Sequence, residues 1–354
     1  MSGELNETPR SGRVHIAFFG LRNAGKSTLV NRFCGQEVAI VSDTPGTTTD
    51  PVSKAMEILP LGPCLITDTA GLDDEGALGE ERIRRTLAVL ATTDIAVWVG
   101  DGFDKWRGRF AVPVIEWRRE DSAEELKKRI AAIKVQEDPG LLDGLVGRGD
   151  RITMVCPIDE SAPKGRMILP QVQVLRDCLD KGATATVCQP DGLSRCLDGS
   201  SLVVTDAQAY GAVRKTMEES GSGAKLISFS ELFARQKGDV AEYRRSLELL
   251  KTLKPGDKVL VAEGCTHHRQ CNDIGTVKIP RALKKMTGCE FEFAFSSGGS
   301  FEVGPDVKFV VHCGGCMLTR REVQRRIALA KAAGIPIVNY GMLLSAASRK
   351  GGES

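Results

Sequence analysis

The chain has little histidine, few aromatic residues and no long apolar run. Its 354 residues include four histidines, three tryptophans and three tyrosines, and aromatics make up only 5%. No stretch reaches the roughly 18 apolar residues that a membrane-crossing helix needs. The formal net charge is +2, so no polyelectrolyte partner is implied. No basic strip interleaved with aromatics is present either, which argues against a nucleic-acid module. Met1 to Arg13 is polar, lacks an apolar h-region and reads as a loose tail, not a signal peptide. Cysteine, by contrast, is plentiful: eleven, an odd number. Cys34, Cys64, Cys156, Cys178 and Cys188 stand singly in apolar segments, as reduced core thiols do. That pattern points to a reducing cytoplasm and away from a disulfide scaffold. Apolar residues at 42% and charged residues at 27% are ordinary for a globular protein. The length predicts two or three domains.

Three of the four histidines fall in two short stretches, Cys265-Thr266-His267-His268 and His312-Cys313-Gly314-Gly315-Cys316. A Cys-x-x-Cys at a strand end brings two thiolates onto one metal, and the glycines let the backbone bend around it. Cys265 adds a third thiolate, and His267 or His312 is a candidate fourth ligand. Three thiolates with one weak or open position suit a 4Fe–4S cluster. The same residues would also make a structural zinc knuckle, and spacing alone does not separate the two. Cys271 and Cys289 have no matching position and read as structural.

At the other end, an apolar strand over 13–19 runs into Gly20-Leu21-Arg22-Asn23-Ala24-Gly25-Lys26-Ser27-Thr28 and then an amphipathic helix through Phe33. This is G-x-x-x-x-G-K-S in the strand–loop–helix setting that a phosphate-binding loop requires. Backbone N–H groups from Gly20 through Thr28 can converge on phosphate oxygens, helped by the helix N-terminus. Lys26 is expected to reach the β- and γ-phosphates and Ser27 to hold Mg²⁺. The polar loop Ser42 to Asp50 offers threonine hydroxyls to Mg²⁺ and a backbone N–H to the γ-phosphate. A buried strand ending in Asp68-Thr69-Ala70-Gly71 follows, with Asp68 facing the Mg²⁺ shell and the Gly71 N–H facing the γ-phosphate.

These motifs, in this order, resemble the branch of small GTPases that includes Era and the tRNA-modification GTPase MnmE. The resemblance implies that Thr48 is the switch threonine, so catalytic roles fall to Lys26, Thr48 and Gly71. It also implies that Asn23 helps bind a potassium ion. Leu72 stands where Ras-like proteins carry a water-positioning glutamine, so slow intrinsic hydrolysis is expected. Where the base-reading Asn-Lys-x-Asp should follow a strand over 112–117, the chain has Arg118-Arg119-Glu120-Asp121. Only Asp121 keeps its type, as a reader of guanine N1–H and N2–H or as a plain solvated charge. Ser122-Ala123 and a helix from Glu124 follow at once, so the segment looks shortened.

The later chain repeats an α/β pattern. Strands are expected over 152–156, 183–187 and 202–205 with a helix over 169–179, then a helix from Gly238 to Leu250, strands over 257–262, 291–295, 307–311 and 335–339, and a helix over 320–332. Asp159, Lys164 and Arg166 lie in a polar loop that reads as structural. Cys265 and Cys313 both follow apolar strands, at the sheet edge where ligands gather in open α/β folds.

The whole arrangement resembles the HydF family, the GTPase maturases of FeFe-hydrogenase. The likeness is carried by Cys156-Pro157-Ile158-Asp159-Glu160-Ser161-Ala162-Pro163-Lys164-Gly165-Arg166, Phe233-Ala234-Arg235, Cys265-Thr266-His267-His268-Arg269-Gln270, His312-Cys313-Gly314-Gly315-Cys316-Met317 and Ile337-Val338-Asn339-Tyr340-Gly341. It implies a P-loop GTPase domain (12–137), a small α/β dimerisation domain (150–236) and an α/β cluster-binding domain (237–354). It further implies GTP, Mg²⁺ and a 4Fe–4S cluster on Cys265, Cys313 and Cys316. The implied partners are the hydrogenase apoprotein and the radical-SAM maturases HydE and HydG, in a homodimer or larger, with a diiron precursor as cargo. The alternative reading is an Era/MnmE-like GTPase for translation or tRNA with a zinc module.

Asn23 and the missing glutamine generate one expectation directly. Hydrolysis should rise when potassium replaces sodium, because a bound cation supplies charge otherwise given by an arginine finger. Rates measured in matched KCl and NaCl check this; equal rates would count against it.

Overall fold

The computed structural model describes residues 8–35, 52–73, 76–135, 138–158, 167–264, 273–298 and 301–349. The expected switch loop with Thr48, the loop carrying Asp159, Lys164 and Arg166, and the stretch carrying Cys265 and His267 lie outside them. The chain forms two compact units, Met1–Glu137 and Asp138–Ser354.

The first unit is built on one five-stranded sheet. Its strands are β1 (Val14–Gly20), β2 (Val52–Ile58), β3 (Gly62–Asp68), β4 (Ile95–Val99) and β5 (Val114–Trp117), in the order β2-β3-β1-β4-β5. All pairings are parallel except β2 with β3. The central strands β1 and β4 are almost continuously apolar because both of their faces are covered. Edge strand β2 instead alternates, exposing Ser53, Ala55 and Glu57. Ile16 and Phe18 pack against Leu29, Val30 and Phe33 of helix α1 (Lys26–Cys34) and Leu126 and Ile130 of helix α3 (Ala123–Ala131). Ala17 and Phe19 point to the other face, where Ala96, Trp98, Leu72 and helix α2 (Gly76–Leu90) complete a second core. Ser122 caps α3, its Oγ accepting the Glu125 N–H at 3.0 Å.

The second unit holds two four-stranded sheets, both wholly parallel. Strands β6 (Arg151–Val155), β7 (Thr184–Cys188), β8 (Leu202–Thr205) and β9 (Lys225–Ser228) take the order β7-β6-β8-β9. Strands β10 (Lys258–Ala262), β11 (Glu292–Ser296), β12 (Val307–His312) and β13 (Ile337–Asn339) take the same order, β11-β10-β12-β13. Parallel strands need crossover connections, and helices α4 (Leu169–Asp180), α5 (Tyr210–Glu219), α8 (Ile279–Thr287) and α9 (Arg320–Ala332) supply four of the six. Helix α7 (Val240–Leu249) leads into the second sheet, and α10 (Tyr340–Arg349) follows its last strand.

Helix α6 (Phe229–Lys237) belongs to both cores. Its Phe229, Leu232 and Phe233 close the core of the first sheet, while Ala234 joins that of the second. Ser228 caps it in a reciprocal arrangement with Glu231, whose carboxylate accepts the Ser228 N–H at 3.0 Å. Gly341 at the start of α10 lets that helix close on α6, since a Cβ there would lie 2.0 Å from Ser230 Cβ. Gly341→Ala should therefore destabilise the second unit by about 1–3 kcal/mol. Urea unfolding would show this as a lowered midpoint with an unchanged slope, and an unmoved midpoint would contradict the close approach.

Candidate functional site

Two places in the chain gather chemistry. In the first unit the loop after β1 uses an unusual backbone. Asn23 has φ 60° and Gly25 φ 91°, left-handed values that asparagine and glycine tolerate better than other residues. Successive right- and left-handed residues turn their N–H groups to one side and form an anion-binding concavity. A Cβ on Gly20 would lie 2.5 Å from Val99 O, so the loop can leave β1 there only as glycine. Lys26 is buried at the first turn of α1, its Nζ donating to Leu21 O at 2.7 Å and Gly20 O at 3.3 Å. Asn23 and Thr28 are exposed, and Ala24 and Gly25 are half-buried.

Parallel pairing sets Phe18 of β1 beside Asp68 of β3. Asp68 is fully buried and its Oδ2 accepts the Ser27 hydroxyl at 2.6 Å. Its Oδ1 has no hydrogen-bond partner among the described residues. Burial pushes the Asp68 carboxyl above its ordinary range, against the opposing effects of the Ser27 hydrogen bond, the Lys26 charge and the Thr69 backbone. An orphaned buried carboxylate oxygen beside a hydroxyl fits a hard, oxygen-liganded cation, so Ser27 and Asp68 fit Mg²⁺. Gly71 packs directly on the phosphate loop, where a Cβ would lie 2.9 Å from Arg22 N. Leu72 is buried in the core, so its side chain has no access to a nucleophilic water. Asp121 closes a turn instead of projecting freely: its Oδ2 accepts the Arg118 N–H at 3.0 Å and lies 3.6 Å from Arg129 Nη1.

In the second unit, β10 and β12 pair with Ala262 beside His312. The next residues on each strand therefore emerge at the same edge. Cys313 N–H donates to Ala262 O at 2.8 Å, and Gly264 N–H donates to Cys313 Sγ at 3.0 Å. Gly264 is covalently next to Cys265. Gly315, at φ 77°, turns the chain so that Cys316 follows. Burial raises both thiols, Cys316 to about 11, where neighbouring Cys313 adds to the effect and Lys237 opposes it. Metal binding there would have to release thiol protons. Among the described residues no three His, Cys, Asp or Glu side chains gather into a metal-holding group.

His312 goes elsewhere. Strand alternation points it away from Cys313. It is buried, with Nε2 hydrogen-bonded to Tyr243 Oη at 2.6 Å. Burial holds it down to about 3, with the Arg326 charge adding to the effect, so it is neutral. The structure thus does not bring His312 together with the two thiols as a fourth ligand.

Two cations that the sequence reading did not single out flank this loop. Arg326 is fully buried, its Nε 2.9 Å from Glu322 Oε1 and its Nη2 donating to Gly298 O at 2.8 Å. Lys237, 3% exposed, donates from Nζ to Leu318 O at 2.8 Å and to Gly315 O at 3.2 Å. Burial lowers its pKa to about 8. No spacing rule signals either residue; the only sequence sign is that each is a charge inside an otherwise apolar helical stripe.

The phosphate loop, the Ser27–Asp68 pair and the surrounding parallel sheet define the first unit as a P-loop GTPase domain. A family model described as a 50S ribosome-binding GTPase matches residues 15–139. Two further models match the second unit: the hydrogen maturase F dimerization domain over 141–238 and the hydrogen maturase F tetramerization domain over 241–350. Together these two cover more than half of the chain, and the chain belongs to the hydrogen maturase F family. Both of its later domains are thus of self-association types, the last being the tetramerization type as well as the bearer of the cysteine loop. The tRNA modification GTPase MnmE of Rhodospirillum rubrum is 40% identical over 109 residues, 29% of this chain and 23% of that protein. MnmE of Acidiphilium cryptum is 41% identical over 113 residues, 32% and 24% of the two chains. The chain thus spans about a quarter of the curated relatives it matches, and the likeness is confined to the GTPase domain. A solved structure of Aquifex aeolicus Era bound to GDP.AlF4- is 16% identical, covers 80% of this chain and 93% of that one, and has a TM-score of 0.25, too slight a likeness to carry an argument. No described helix is long and apolar enough to cross a membrane.

The orphaned oxygen of Asp68 makes a prediction with a definite sign. A carboxyl whose pKa is raised on folding costs stability at any pH above that pKa, and the cost fades as pH falls through it. Asp68→Asn removes the cost. Metal-free, nucleotide-free protein at pH 8 should then melt at a higher temperature, while Mg²⁺-dependent hydrolysis falls by about a hundredfold or more. A lowered melting temperature would mean that the carboxylate serves the fold through Ser27 and is not kept for a cation.

Proposed function

We propose that this protein is a cytoplasmic, GTP-hydrolysing iron–sulfur scaffold that carries the diiron precursor during FeFe-hydrogenase maturation. The observation that carries this reading is the Gly264 N–H on Cys313 Sγ at 3.0 Å, which sets the chain leading to Cys265 against the Cys-x-x-Cys loop. Membership in the maturase family supports the same conclusion.

Cys265, Cys313 and Cys316 hold a 4Fe–4S cluster in this reading, and the residues Cys313 and Cys316 are partly exposed. The chemistry the cluster supplies is an iron without a thiolate, to which an incoming group can attach. His267 is the candidate for a weak fourth position. The protein's own task is to hold the three sulfurs, present that iron at a sheet edge and release the cargo. The cargo comes from HydE and HydG and goes to the hydrogenase apoprotein, with the dimerization and tetramerization domains assembling the scaffold.

In the GTPase domain Lys26 neutralises the β- and γ-phosphates, Ser27, Thr48 and Asp68 order Mg²⁺, and Gly71 N–H meets the γ-phosphate. Asn23 holds potassium. Asp121, already engaged in its turn, reads guanine weakly.

The two chemistries should come apart on mutation. Lys26→Ala should abolish GTP hydrolysis and leave iron per chain unchanged. Cys265→Ser, Cys313→Ser and Cys316→Ser should each lose most of the iron and keep hydrolysis. Anaerobic purification with iron and sulfide analysis and electron paramagnetic resonance reads both. Stoichiometric zinc without iron in the unmutated protein would favour the zinc-module alternative and end the maturation reading.

A further inference from the structure

Lys237 is a buried cation whose described hydrogen bonds go to backbone carbonyls. It ends α6 with a side chain 3% exposed, and its Nζ lies 5.2 Å from the Phe233 ring centroid. Its acceptors are two backbone carbonyls, Gly315 O and Leu318 O. These lie on either side of Cys316, so one ammonium spans the turn that sets the second thiol. Among carboxylates, Asp138 acts on it through its charge. The contrast with Arg326 is instructive, because that buried guanidinium has Glu322 at 2.9 Å. A buried charge is unfavourable unless compensated, and carbonyl dipoles offset only part of this. The groups beside Lys237 able to carry negative charge are Cys316, Asp138 and Cys313, with Cys316 acting most strongly. The helix is also held from its own end, where Gln324 Nε2 donates to Lys237 O at 2.7 Å and to Gly238 O at 3.1 Å.

We propose that Lys237 is a positioning residue for the Cys313–Cys316 loop whose fixed positive charge sets the reduction potential of the group held there. This rests on the reading that Cys265, Cys313 and Cys316 hold a 4Fe–4S cluster. One-electron reduction makes such a cluster more negative. A buried ammonium beside its sulfurs favours the reduced form and raises the potential, as hydrogen bonds and net charge near cluster sulfurs generally do. The bonds to Gly315 O and Leu318 O fix where that charge sits.

The test uses the full chain, purified anaerobically with its cluster. Lys237→Met keeps the length of the side chain and removes the charge, and Lys237→Arg keeps the charge. Iron and acid-labile sulfide are measured per chain, and the midpoint is read by dithionite titration followed by electron paramagnetic resonance. The expected result is a midpoint shifted to more negative potential in Lys237→Met, with an altered spectrum of the reduced cluster, and a midpoint near that of the unmutated protein in Lys237→Arg. Loss of iron in Lys237→Met with retention in Lys237→Arg also supports the charge. An unchanged midpoint and spectrum in Lys237→Met overturns the proposal. So does equal loss of iron from both variants, which would make Lys237 a packing residue only. Absence of iron from the unmutated protein sinks the cluster reading itself, and this inference with it, and so is told apart from a failure at Lys237 alone.

Discussion

Neighbouring parallel strands end at the same edge of their sheet, and that constraint places both the Ser27–Asp68 pair and the loop that begins at Cys313. In the first unit the pairing of β1 with β3 sets Phe18 beside Asp68, so the loop leaving one strand meets the carboxylate ending the other. Ser27, at the start of α1, then lies 2.6 Å from Asp68. In the second unit the pairing of β10 with β12 sets Ala262 beside His312, so Gly264 meets Cys313. Segments far apart in sequence are joined by a register, and a register is strongly specified where a strand face is buried, because a slip moves its side chains to the opposite face. A slip of one residue would turn Cys313 into the core and His312 out to the edge.

The buried polar groups fall into two kinds. Arg326 is matched by Glu322, and His312 is bonded to Tyr243 at Nε2 while its Nδ1 has no hydrogen-bond partner among the described residues. The His312 ring stays neutral, so it costs no buried charge at neutral pH. Asp68 and Lys237 are matched less fully, although the Lys26 charge acts on the one and the Asp138 charge on the other. Each is a charge-bearing group whose partners are a hydroxyl or carbonyls, which do not cancel its charge. Such groups are stabilised fully only by something of opposite sign, a cation at Asp68 and anionic sulfur at Lys237. Incompletely matched buried charges are therefore better markers of the two sites than the total number of buried polar residues.

Much of this was legible in the chain. Glycines and an asparagine at fixed offsets before Lys26-Ser27 announce a phosphate loop, because few other residues take those backbone angles. The apolar runs gave away the buried parallel strands, and Cys313-Gly314-Gly315-Cys316 marked the loop that follows β12. Other features could not be read. Edge strand β2, with exposed Ser53, Ala55 and Glu57, lacks the apolar run that marks the inner strands. His312 looked like a ligand by adjacency, yet strand alternation sends its ring to Tyr243, 69 positions away. Asp121 kept the identity of a base reader while its Oδ2 closes a local turn. Lys237 carried no motif at all, since its meaning depends on carbonyls 78 and 81 positions further along. What escapes the sequence in each case is a tertiary contact that reassigns a residue of ordinary type.

Helix α6 ties the two sheets of the second unit into one mechanical object. Phe233 and Lys237 are four residues apart and so share a face of the helix. Phe233 is packed in the core of the first sheet, and Lys237 grips the cysteine loop of the second. A side chain in a close-packed core has little freedom to shift without its neighbours. Fixing Phe233 therefore fixes the start point of Lys237, and with it the carbonyls that frame Cys316. Ser230 adds a second tie, its carbonyl accepting Asn339 Nδ2 at 3.1 Å just after β13 pairs with β12. The shape of the thiol loop is consequently not a private property of the domain that contains it. It depends on how well the preceding sheet, the one matched by the dimerization family, is packed against the helix it shares.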